Sequence, residues 1–68
     1  MIKRAILLTR FGISQRTWSE FLEKFDESKV IRLGRVIEFE GTEADFDKLH
    51  DKLIANESNS KIIGIYPN

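Results

Sequence analysis

Apolar residues recur along this chain in two rhythms. Trp18, Phe21, Leu22 and Phe25 are spaced i, i+3, i+4, i+7, and Phe46, Leu49, His50 and Leu53 repeat that spacing further on. Each set falls on one face of an α-helix, so each segment predicts an amphipathic helix with an apolar ridge to bury. Around them the rhythm changes. Ile2 to Arg10 carries Ile and Leu on both parities, the pattern of a strand in the middle of a sheet. Lys29 to Gly41 alternates, with Ile31, Leu33, Ile37 and Phe39 on one parity, and Lys61 to Tyr66 is a last β-rich run closed by Pro67.

Local signals set the boundaries. Phe11-Gly12-Ile13 is a short connection, and Ser14 is the expected N-cap of a helix running to about Phe25 or Asp26, with Thr17 and Glu20 offering a second capping-box register. Thr42 and Asp45 open the second helix in the same way, and it runs to about Ala55. Arg35 interrupts the alternation between the two middle strands. A turn through Leu33-Gly34-Arg35 pairs Ile31 with Ile37 and keeps the apolar parity together, whereas a two-residue turn at Gly34-Arg35 pairs Arg32 with Ile37 and mixes the faces. The longer turn is therefore expected, with a single strand bulged at Gly34 as the alternative.

The resulting order, β-α-β-β-α-β over one α+β domain (residues 1–68), resembles the ferredoxin-like sandwich, in which a four-stranded antiparallel sheet carries two helices on one face. The likeness is to a fold, which hosts many unrelated functions. It implies that the other sheet face is open. Period two assigns Ala5, Leu7, Phe11, Ile31, Leu33, Ile37, Phe39, Ile63 and Ile65 to the helix side. The open side then carries Ile2, Arg4, Ile6, Leu8 and Arg10, with Val30, Arg32, Val36, Glu38 and Glu40, and Ile62, Gly64 and Tyr66. Such a face, apolar at its centre and charged at its rim, marks an interface.

Composition narrows the function classes. A chain of 68 residues has one core, which at this size supplies only about 3 to 5 kcal/mol, so self-association or a partner is expected to help. Cysteine is absent, which removes disulfides, thiolate catalysis and cysteine-ligated zinc. No run approaches the roughly 20 apolar residues that span a bilayer, and the basic start followed by Ala5 to Leu8 lacks a cleavage signature, so a cytoplasmic protein without membrane contact is expected. Charge is divided. Residues 1 to 35 hold eight basic against four acidic residues, a net of +4, and residues 36 to 68 hold three against seven, a net of −4. The topology decides whether these halves separate or interleave.

No catalytic or metal constellation emerges. His50 is the one histidine, and Asp47 and Asp51 near it are ordinary helix-surface neighbours. Glu38, Glu40, Glu43, Asp45 and Asp47 read as solvated charge and as acids in a first helical turn rather than as a cation site. The connection containing Arg10, Gly12, Ser14 and Arg16 leads into a helix N-terminus, an anion-binding geometry, and acylphosphatases of this fold hold phosphate with an arginine there. The likeness is confined to that connection, since their required hairpin asparagine has no counterpart here. The β-α-β-β-α-β order is also that of the RNA-recognition motif, yet the first and third strands offer no aromatic for base stacking on the expected open parity.

The expectation is accordingly a noncatalytic protein-binding module, a small regulator or inhibitor of the kind encoded by phage and mobile elements, acting stoichiometrically and able to form a homodimer. It requires no cofactor and no metal. Its expected partner-binding residues are Arg4, Ile6, Leu8, Arg10, Val36, Glu38, Ile62 and Tyr66. Nucleic-acid binding through the basic N-terminal half ranks second, and a small phosphate- or anion-binding enzyme third, with Arg10, Gly12, Ser14 and Arg16 as its anion site.

Overall fold

The computed structural model describes residues 1–67, and Asn68, the last residue of the expected domain, lies outside them. Six elements follow the expected order: β1 (Ile2–Leu8), α1 (Gln15–Leu22), β2 (Lys29–Leu33), β3 (Val36–Gly41), α2 (Glu43–Ala55) and β4 (Ile62–Pro67). The strands form one antiparallel sheet in the order β2-β3-β1-β4. With two helices in β-α-β-β-α-β order, this is an α+β ferredoxin-like fold.

Both helices start at the expected caps. The Ser14 hydroxyl accepts from the Thr17 N–H and the Thr42 hydroxyl from the Asp45 N–H, each at 3.2 Å, satisfying donors that a helix start leaves free. Ser28 adds a brace by donating to the Asp45 carboxylate at 2.6 Å, which ties the start of α2 to the entry of β2. Helix α1 ends about a turn earlier than its apolar spacing implies. There the Lys24 N–H donates to the Phe21 carbonyl and that of Phe25 to the Leu22 carbonyl, the tightened i→i+3 pattern of a closing turn, and Phe25 remains buried.

The helical stripes make the core with the sheet. Ile6, Leu8, Ile37, Phe39, Leu49 and Leu53 are essentially inaccessible, with Trp18, Phe21, Phe25, Phe46 and Ile13 around them. Aromatic rings link in edge-on contacts, Phe11 to Trp18 at 5.1 Å, Phe21 to Phe25 at 4.8 Å and Phe39 to Phe46 at 5.4 Å between centroids.

The hairpin takes the two-residue turn, which corrects the expected longer one. Leu33 pairs with Val36 and Arg32 with Ile37, and Gly34 sits at φ +63° with no residue of positive φ beside it. That is the φ pattern of a type II′ turn, whose twist suits antiparallel strands. The consequence is a reversal of faces in β2: Val30 and Arg32 lie on the helix side, Ile31 and Leu33 on the open one. Strand β1 is reversed as well. Ile6 and Leu8 are fully buried on the covered side, where Ile2 also packs, and Ala5 and Leu7 face outward. Two arginines make this possible. The Arg4 guanidinium lies 4.6 Å from the Phe46 ring centroid and 3.5 Å from Glu43, and that of Arg32 lies 4.4 Å from the Phe11 centroid. Their stems and planar heads cover aromatic faces at the margin of the core while the charge reaches water.

Strand β4 is an edge that resists extension. The Leu8 N–H donates to the Arg35 carbonyl and that of Thr9 to the Lys61 carbonyl, both at 2.9 Å, so along β1 even residues bond toward β3 and odd ones toward β4. Leu7 pairs with Gly64 but Leu8 with Ile62, leaving Ile63 as an extra, bulged residue. Pro67 pairs with Arg4, at a position whose backbone points away from β1 and where its missing N–H leaves the outer edge one donor short. Bulge and proline together interrupt the ladder that an added strand would need.

Candidate interface on the open sheet face

Cross-strand pairing arranges the uncovered face in three rows. The first is Leu33, Val36, Leu7 and Gly64, wholly apolar. The second is Ile31, Glu38, Ala5 and Tyr66, and the third is Lys29, Glu40 and Lys3. Polarity is thus graded along the strand direction. Leu33 is 58% exposed, Tyr66 52% and Ile31 38%, while Val36 and Leu7 are half-buried between their neighbours. The Tyr66 ring lies across Gly64, where a Cβ would meet the phenol oxygen at 2.5 Å, so the fourth column of the first two rows is a single aromatic surface. In the third row the Lys3 ammonium is 3.8 Å from the Glu40 carboxylate. A shallow depression bordered by Lys3, Lys29, Ile31, Glu38 and Glu40 marks where the apolar and charged parts meet. Among the described residues the face carries two lysines and two glutamates, so their charges cancel.

Of the residues expected on this face, Val36, Glu38, Glu40, Gly64 and Tyr66 lie there. Arg4, Ile6, Leu8 and Ile62 do not: they belong to the helix-covered side, Arg4 over Phe46, Ile6 and Leu8 in the core, Ile62 packed against it. Arg10 lies past the end of β1, bound to another connection. Sequence reasoning missed Lys3, Ala5, Leu7, Lys29, Ile31 and Leu33. The signal that could have found the β2 residues is Gly34 followed by a non-glycine, the Gly-X sequence of a type II′ turn, which sets Leu33 and Ile31 beside Val36 and Glu38.

Each residue of the expected anion site has a structural task. Arg10 donates from Nε to the Asn59 carbonyl and from Nη2 to that of Ser58, both at 2.8 Å, clasping the β1–α1 connection to the α2–β4 connection. Gly12 lies against Asn59, and a Cβ there would sit 2.4 Å from its carbonyl oxygen. Ser14 caps α1, and Arg16 reaches Glu20 at 3.4 Å along the helix. These contacts draw the two guanidinium groups to different partners.

The charged halves interleave rather than separate. Basic β1 lies beside acidic β3 and the start of α2, with Lys3 on Glu40 and Arg4 on Glu43, and Arg10, Arg16 and Arg32 are engaged as described. Aromatic residues for base stacking are lacking on the open rows of β1 and β3, which carry Lys3, Ala5, Leu7, Val36, Glu38 and Glu40. Among the described residues no three His, Asp or Glu side chains gather as a metal site, and no helix is long and apolar enough to cross a membrane. His50 is half-buried with its ring 6.4 Å from that of Phe46, one flank of the α2 stripe. No family model, curated protein or solved structure matches the chain.

Proposed function

We propose that this chain is a noncatalytic protein-binding module, a small regulator or inhibitor that acts stoichiometrically through its open sheet face. The observation that carries the reading is the apolar surface formed by Leu33, Val36 and Leu7 and continued by Ile31 and Tyr66, on a face that neither helix covers. Several large apolar side chains held together on a regular strand surface favour a dry contact, and the charged row beside them supplies orientation. Nucleic acid finds less support, because Glu38 and Glu40 stand in the middle of the face and would repel phosphate.

Leu33→Glu tests the reading with little risk to the fold, since Leu33 is more than half exposed and outside the core. Wild type and variant are used in parallel as affinity baits in the native cell, with circular dichroism confirming equal folding. A protein retained in fixed stoichiometry by the wild type and lost by the variant supports the module. Equal retention by both, or retention that nuclease abolishes, would overturn it.

A further inference from the structure

The three rows of the open face complement themselves. Consider two copies packed sheet to sheet about a two-fold axis that lies in the interface near the mean strand direction. Such an axis keeps each row level with its own copy and reverses the column order, so β2 covers β4 of the second copy and β3 covers β1. Leu33 and Ile31 then meet the Tyr66 ring lying across Gly64, and Val36 meets Leu7. Glu38 lies over the small Ala5, one row from Lys3, and in the third row Glu40 meets Lys3 while Lys3 meets Glu40. The other in-plane axis, across the strands, does the reverse: it sets Leu33, Val36 and Leu7 on Lys29, Glu40 and Lys3. Of the two, the first axis alone matches apolar row to apolar row and sets Lys3 on Glu40, while Glu38, about one strand spacing from its own copy across the axis, has Lys3 one row away to offset that like charge.

Resting on the reading of this face as a protein interface, we infer that its occupant in the free protein is a second copy of the chain, joined by the strand-parallel two-fold axis. Twisted sheets stack face to face with their strands within about 30° of each other, which preserves the row matching. Four strands about 4.8 Å apart and about 20 Å long present on the order of 400 Å² in projection, about 800 Å² for the pair before side-chain relief adds to it, which brings the accessible surface removed near the roughly 1,000 Å² lower bound for a specific interface. At the β4 edge stacking is favoured over strand addition, because the bulge at Ile63 and Pro67 interrupt its outer ladder.

The axis makes a specific demand on charge. Lys3→Glu alone sets the new carboxylate against Glu40 twice across the interface, and Glu40→Lys alone sets the new ammonium against Lys3 twice. Each single variant is expected to dimerise at least about tenfold more weakly than wild type. Mixed together, they form a heterodimer in which both cross-interface pairs are opposite in sign, so mass should shift from monomer to dimer on mixing two monomeric samples. Sedimentation equilibrium over about 1 µM to 1 mM, a span that resolves weak and moderate affinities, reads each case. A wild type that stays monomeric throughout overturns the second copy as occupant, and the module then stands or falls on Leu33→Glu in the capture experiment. A wild-type dimer whose two variants fail to complement each other overturns the axis.

Discussion

The reversal of faces in β1 makes a sharp statement about neighbouring residues. Ile6 is fully buried beside Ile37 in the core, and Leu7, next in the chain, lies half-buried on the open face. Truncating Ile6 to alanine removes three methylene equivalents, worth roughly 2.4 kcal/mol at about 0.8 kcal/mol each, and leaves a cavity that raises the expected loss to about 3 to 4 kcal/mol. Leu7→Ala removes as many carbons, but up to about a third of their surface already faces water and solvent fills the space, so about 1.5 kcal/mol is expected. Urea unfolding followed by the fluorescence of Trp18, which is buried in the core, measures both. With a slope near 1 kcal/mol/M for a chain of this size, the midpoint should fall by about 3 M for Ile6→Ala and about 1.5 M for Leu7→Ala. Against a total of about 3 to 5 kcal/mol, the first variant would be close to unfolded in water. Low micromolar protein is the right condition, because it limits any self-association through Leu7. A loss at Leu7 equal to or larger than that at Ile6 would refute the assignment of faces.

Two further substitutions test the connections. Gly12→Ala drives a methyl group into the Asn59 backbone and should destabilise by about 2 kcal/mol, lowering the thermal midpoint by roughly 8 to 16 °C; a shift under about 2 °C would show that the two connections do not touch there. Gly34→Ala has open space around its new methyl group but meets the left-handed backbone, so a loss of about 1 kcal/mol is expected, with Gly34→Asn milder; equal stability of Gly34→Ala and wild type in thermal melts would exclude the positive φ.

Element order was legible because each signal was local. The stripes from Trp18 to Phe25 and from Phe46 to Leu53, and the caps Ser14 and Thr42, act within a few residues, and the sheet order follows from the fold they imply. The choice of faces was not local. Arg4 and Arg32 read as markers of the solvent side, since a guanidinium is not buried unpaired, yet each lies along an aromatic ring contributed by a distant segment, Phe46 for Arg4 and Phe11 for Arg32. Both parities of β1 are apolar, with Arg4 on one and Lys3 on the other, so alternation within the strand does not say which parity meets the helices. The same assumption disfavoured the short hairpin turn, because that turn placed Arg32 beside Ile37. The candidate face was therefore found as a kind of surface, while Leu7, Ile31 and Leu33 came to it from the parity assigned to the helices.

The clasp made by Arg10 has a consequence in time. It joins points 48 and 49 residues apart, on connections that approach each other only once both crossovers have closed and β4 has docked against β1. Bringing together segments so distant in the chain carries a loop-closure cost that only the assembled sheet repays, so this contact is expected to form after the folding transition state. A late contact leaves the rate of folding nearly untouched and slows the rate of opening. On that order Arg10 is a latch on the finished molecule, and Arg10→Ala is expected to raise the unfolding rate while leaving the folding rate nearly unchanged.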